Sequence, residues 1–219
     1  MALSQWDINQ NVSGAYGVGV DQISPLGGDG SLFLDSTTPG LPGDRNVNII
    51  PSDAGGITHG FTSGRIHSLI NVASFNTGYQ VGFVFLQSMD DVTTSGTGYY
   101  VAMRSLPSSS IDFRIQLFKF TSGVNSGVLL AQTGNSQSSL GTTFALEVDW
   151  NNLTGGQTRI DVNFKDSASD FIGLNLAFTY IDVSPITSSV GEGIVALNST
   201  TGPEDFIARL DLTETFEIT

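Results

Sequence analysis

Residues 143–164 hold the pattern that most restricts what this chain can fold into. Phe144, Leu146, Val148 and Trp150 alternate with Thr143, Ala145, Glu147 and Asp149. Thr158, Ile160, Val162 and Phe164 then alternate with Gln157, Arg159, Asp161 and Asn163. A period of two puts each set on its own face of an extended strand. The segment between, Asn151-Asn152-Leu153-Thr154-Gly155-Gly156, is turn chemistry. The two runs predict an antiparallel pair with one buried face and one wet face.

The same signature recurs from residue 57 onward. Gly64–Val72 is the first run. In later runs Val81, Phe83 and Phe85 share a face, as do Tyr99, Val101 and Met103, and Ile111, Phe113, Ile115 and Leu117. Val128–Gln132, Gly193–Leu197 and a closing run through Phe206, Ala208, Leu210 and Leu212 complete the series. Ile172, Leu174, Leu176, Phe178 and Tyr180 share one register, which fits a strand or a short helix. Pattern counting gives about a dozen strands, enough for two packed sheets. Before residue 57, Ser31–Asp35 reads as a short strand, and residues 36–56 as an irregular excursion around Val47-Asn48-Ile49-Ile50. The expected division is residues 1–56, an arm with first strands and a long loop packed on the same domain, and residues 57–219, the sandwich.

Composition narrows the partners. With 8 Lys and Arg against 21 Asp and Glu, the formal charge is −13. Such a surface repels phosphate backbones and anionic membranes, so neither nucleic acid nor membrane is expected. There is no cysteine, which excludes disulfides and thiolate metal sites. The N-terminal residues lack a basic segment followed by an apolar one, so no signal peptide is expected.

The order of the runs resembles the concanavalin A-like lectin/glucanase superfamily, including its laminin G-like members. The carrying segments are Gly98-Tyr99-Tyr100-Val101, Phe113-Arg114-Ile115-Gln116-Leu117, Val128-Leu129-Leu130, Phe144 to Trp150, Ile160-Asp161-Val162, Gly193-Ile194-Val195-Ala196 and Asp205-Phe206. The resemblance implies an all-β, antiparallel two-sheet β-sandwich of the jelly-roll kind. It also implies a ligand, usually a glycan, on the concave sheet or at the rim, often beside calcium. The Gly-, Ser- and Thr-rich style without Cys is similar to virion proteins of tailed phages, often trimers, made in the host cytoplasm.

Glu147-Val148-Asp149 resembles the start of the Glu-x-Asp-x-x-Glu strand of retaining glucanases, where two carboxylates act as nucleophile and acid/base. The closing position is Asn152, and an amide neither donates nor accepts a catalytic proton. The motif therefore predicts the wet face of a strand and no catalytic residue. Glycoside hydrolysis would need an acid partner from elsewhere, with Glu192 and Glu204 as candidates. His59 and His67 are the only histidines, and no Gly-x-Ser-x-Gly elbow accompanies them. Calcium ligands are available in Asp29, Asp35, Asp90-Asp91 and Glu204-Asp205, but no binding motif organises them. No cofactor is expected, with calcium as the one alternative.

These observations yield a non-enzymatic structural subunit of a phage particle, a capsid decoration (cement) protein or tail appendage. It would be a homo-oligomer, in the first instance a trimer, contacting other virion proteins through Trp6, Tyr16, Ile49 and Ile50. The alternative is a lectin-like module that binds a host-surface glycan through Tyr99, Tyr100, Asp90 and Asp91.

Overall fold

The computed structural model describes residues 6–10, 16–21, 31–35, 45–51, 60–75, 79–106, 109–134, 136–137, 142–187, 189–198 and 206–218. They form two antiparallel sheets packed face to face. The eight-stranded sheet runs in the order β1 (Trp6–Gln10), β4 (Arg45–Pro51), β14 (Gly191–Asn198), β6 (Tyr79–Gln87), β7 (Gly98–Leu106) and β8 (Ser109–Phe120). Beyond β8 lie β10 (Ser136–Gln137) and β9 (Val128–Gln132), paired to its two ends. The seven-stranded sheet runs β13 (Asn175–Asp182), β12 (Gln157–Lys165), β11 (Thr143–Leu153), β5 (Gly64–Phe75), β15 (Phe206–Glu217), β3 (Ser31–Asp35) and β2 (Gly17–Asp21).

The alternating runs land where their period requires. Val81, Phe83, Phe85, Tyr99, Val101, Met103, Phe113, Ile115 and Leu117 from one sheet meet Ile66, Ile70, Phe144, Leu146, Val148, Trp150, Ile160 and Val162 from the other. The β11–β12 hairpin is shorter in its loop than the sequence suggests. Its strands pair out to Leu153 and Gln157, and Gly155 and Gly156 turn the chain at φ 98° and 74°, a region open to glycine at no steric cost.

Three sequence expectations need correction. The Val47–Ile50 segment is no irregular excursion, because β4 is an ordinary strand between β1 and β14. Tyr16, Ile49 and Ile50 are at most 3% exposed, so packing within the domain consumes the apolar surface assigned to assembly contacts. Trp6 begins β1, opposite Pro51. The single register proposed for residues 172–180 is broken. Val162 pairs with Phe178 but Asn163 pairs with Leu176, so Ala177 is an extra residue that reverses the faces. Phe178 and Tyr180 pack toward the core while Leu176 is 57% exposed.

The eight-stranded sheet is also covered on its outer side. Every residue of β6 is buried. Val84, Tyr100, Ala102, Phe118, Phe120, Val195 and Leu197 form a second apolar cluster there, joined by Val92 and Val124 from the connecting turns.

At one edge a polar knot joins the two sheets. Asp182 of β13 accepts from the Tyr99 hydroxyl at 2.6 Å and from the Lys119 ammonium at 2.8 Å, both on the opposite sheet. The amide of Ser184 donates to its other oxygen at 2.8 Å. Burial, the largest single influence, pushes the Asp182 carboxyl up, but the Lys119, Tyr99 and Ser184 bonds together hold it below its ordinary value. A carboxylate lowered on folding stabilises above its unfolded value, and that contribution is lost as pH falls through the folded value. Asp182→Asn is expected to cost about 1.5–3 kcal/mol at neutral pH. Thermal melts of variant and wild type should converge toward acid pH. A gap that is constant down to pH 3 would contradict this role.

Candidate functional site

The outer face of the seven-stranded sheet carries two polar rows that cross its central strands. The pairing places Leu176, Asn163, Glu147, His67 and Glu214 side by side across β13, β12, β11, β5 and β15. One register step along lie Thr179, Asp161, Asp149, Arg65 and Phe216. On β5, β11 and β12 these positions follow from alternation, since the neighbours Ile66, Leu146, Val148 and Val162 point into the core. On β13 and β15 register shifts bring Leu176, Glu214 and Phe216 to the same face.

Side-chain bonds tie each row together. Asn163 Nδ2 donates to Glu147 Oε1 at 3.2 Å. His67 Nδ1 lies 3.4 Å from Glu147 Oε2, and its Nε2 lies 3.3 Å from Glu214 Oε2. In the second row Arg65 grips Asp149 with two parallel bonds, through Nε and a terminal nitrogen. Thr179 donates its hydroxyl proton to Asp161, which also pairs with Arg159 at 2.8 Å. Arg65 Nε lies 3.6 Å from Glu147 and so links the rows.

A strap covers the centre. Residues 166–174 leave β12 and cross the face before β13 begins. Ala168 and the partly buried Phe171 and Leu174 pack on Leu69 and Ala145. The Ala168 amide donates to the Thr143 carbonyl at 2.8 Å. The Phe171 ring lies parallel to the His67 imidazole, with centroids 3.9 Å apart, and Phe216 meets the same imidazole edge-on at 5.3 Å. His67 and Glu147 are thereby buried, whereas the Glu214 side chain stays 58% exposed and Arg65 41%. The expected wet strand face is thus a floor under an aromatic cover.

Burial is the largest influence on the Glu147 carboxyl and pushes it up. The His67 hydrogen bond, the Arg65 and His67 charges and the Asn163 amide outweigh it, so the group sits below its ordinary value. Glu147 is ionised at neutral pH and acts as an acceptor, with no proton to donate. Asn152, the residue in place of a third acid, accepts from the Thr158 hydroxyl at 2.8 Å. Of the acid partners suggested by sequence, Glu192 sits in β14 on the other sheet, bound to the amides of Gly60 and Phe61. Glu204 lies outside the described residues. The carboxylate that does face Glu147 across His67 is Glu214, and sequence reasoning missed it.

The residues proposed for glycan contact are not brought together as a binding surface. Tyr99 is fully buried between the sheets, its hydroxyl taken by Asp182, and Tyr100 is stacked on Phe118 in the outer cluster of the other sheet. Neither ring has a free face for a sugar. Asp91 bonds the amide and hydroxyl of Thr93, and the Asp90 carbonyl accepts from Asn48 and Asn9. Both aspartates belong to a turn over the eight-stranded sheet. Of the calcium candidates, Asp29, Glu204 and Asp205 lie outside the described residues, as does His59. Among the described residues no three His, Asp or Glu side chains converge to hold a metal ion.

No protein-family model and no curated protein sequence matches this chain. Solved structures do. A carbohydrate-binding module, CBM66, from Bacillus subtilis is 14% identical, with 93% of this chain and 96% of that one covered at a TM-score of 0.54. A legume lectin-like domain from Entamoeba histolytica is 8% identical, with 99% and 92% covered at 0.54. An endo-β-1,4-glucuronan lyase from the fungus Trichoderma reesei is 10% identical, with 99% and 92% covered at 0.59. At such identities a likeness of this extent establishes architecture, and the architecture of this chain is the two-sheet antiparallel jelly-roll β-sandwich that these structures share.

Proposed function

We propose that this chain is a non-enzymatic glycan-binding module whose ligand lies across β12, β11, β5 and β15 on the outer face of the seven-stranded sheet. The observation that carries the reading is the pair of polar rows, Asn163–Glu147–His67–Glu214 and Asp161–Asp149–Arg65, beside Phe171 and Phe216. A sugar presents hydroxyls as donors and acceptors around an apolar ring face. Fixed carboxylates, a guanidinium and an amide offer the matching polar groups, and exposed aromatic carbon offers the stacking surface. The carbohydrate-binding module and the lectin-like domain among the structural neighbours support the reading.

The face carries more carboxylates than cations, so neutral oligosaccharides suit it better than uronates or sialylated chains. Ionised Glu147 and the amide of Asn152 support binding without hydrolysis. The virion-subunit reading gains no support from Tyr16, Ile49 and Ile50, which are spent in the core. A glycan array probed with the full chain tests the proposal. At least one neutral glycan should bind. Glu214→Ala, which removes an exposed acceptor with little effect on the core, should weaken that hit about tenfold. A blank array, or a hit indifferent to Glu214, would overturn it.

A further inference from the structure

His67 faces a carboxylate oxygen at each of its ring nitrogens, Glu147 at 3.4 Å and Glu214 at 3.3 Å. A neutral imidazole has one N–H and one lone pair, so only the imidazolium donates to both. When the proton leaves, one nitrogen becomes an acceptor that faces an acceptor. The two carboxylates are not equivalent in that event. Glu147 is buried and held by Asn163 and Arg65, whereas Glu214 is 58% exposed and, among the described residues, bonds only to His67. Glu214 is the one that lets go.

The strap reads the same event. Phe171 lies flat on the imidazole, and a ring π-face attracts a cation more than a neutral ring. The strap has left-handed residues near both ends, Ser167 at φ 53° and Gly173 at φ 72°. The first is a conformation that a serine keeps only while its surroundings hold it. Other charged groups around His67 are Arg65 on its own strand, Asp149 on β11 and Asp211 on β15. On the strap itself Asp170 is paired to Lys165 at 3.5 Å. None of them reaches the two ring nitrogens in place of the glutamates.

We infer that His67, Glu214 and the Phe171 strap form a proton-operated latch over the sheet face. Protonated His67 pins Glu214 and Phe171 and closes the face. Deprotonation frees Glu214 and loosens the strap. The latch rests on the glycan reading only for the identity of what it admits: a sugar would bind about tenfold more weakly with His67 protonated than with it neutral.

The test uses the full chain without ligand. The methyl group of Ile172, which is 76% exposed on the strap, and the His67 ring carbon are followed by NMR between pH 5 and pH 8. The Ile172 methyl should titrate with the midpoint of His67, and should be flat in His67→Asn. A titrating His67 with an unmoved Ile172 methyl would overturn the latch, and the wild-type measurement alone decides this even where the variant fails to fold. A glycan hit whose affinity stays equal across the transition read at the His67 ring carbon would also overturn it. An array that is blank on both sides of that transition would instead overturn the glycan reading while the methyl response stood.

Discussion

Replacing Trp150 by alanine is expected to cost about 3–5 kcal/mol of folding stability. Trp150 is fully buried. Its indole stacks on Phe85 of the facing sheet with centroids 5.0 Å apart, and its Nε1 donates to the Phe61 carbonyl at 3.0 Å. The backbone has been fitted to it: a Cβ on Gly64 would lie 2.6 Å from the indole. Truncation leaves a cavity between two rigid sheets that cannot collapse around it, and strands the Phe61 carbonyl. Domains of this kind are stable by about 5–15 kcal/mol in total, so the variant should unfold at a markedly lower denaturant concentration. Trp150→Phe keeps the stacking and part of the volume and should cost less than half as much. Denaturation followed by circular dichroism checks both. A loss below about 1 kcal/mol for the alanine variant would mean that the inter-sheet core is not packed as described.

Glu147→Ala should have the largest effect on binding, about a hundredfold loss of glycan affinity. Glu147 is the shared acceptor of Asn163 and His67 and lies 3.6 Å from Arg65. Its removal deletes one ligand acceptor and also releases three neighbours whose positions depend on it. Stability should fall too, by about 1–3 kcal/mol, because buried donors lose their partner. Glu147→Gln keeps the shape and an acceptor oxygen but loses the charge that Arg65 and His67 address, so it should fall between. Titration calorimetry on a glycan hit, with melts of the same preparations, separates the two effects. Equal affinity in wild type and Glu147→Ala would remove the first row from the site.

The β11–β12 hairpin was legible because everything that specifies it is local: two alternating runs and a turn that glycine alone accepts easily. The inward faces of β6, β7 and β8 were legible for the same reason. What the sequence does not carry is which strands become neighbours. His67 and Glu147 are 80 residues apart and His67 and Glu214 are 147 apart, so no spacing rule unites them. The parities of 65, 67, 147 and 149 were each readable, but that of 214 was not: the closing run gives it the parity of Leu210, and a register shift between Asp211 and Glu214 turns it to the outer face. The row also depends on β5 lying between β11 and β15. Tyr100 misled because alternation implies a wet outer face, whereas Val92 and Val124 cover it with turns. Val47–Ile50 misled because the surrounding Gly and Pro suggested a loop, although the segment has the β-branched content of a strand. Phe171 fell just outside a run whose apolar register masked the bulge at Ala177.

The most direct measurement of the central claim is where a sugar binds. Backbone amide NMR of the full chain, titrated with a neutral oligosaccharide from the array, should move Arg65, His67, Glu147, Asp149, Asn163 and Glu214 together. The outer face of the eight-stranded sheet, around Tyr100 and Asp91, should stay still. Shifts confined to that opposite face or to the turns at the rim, with the two polar rows unmoved, would contradict the account.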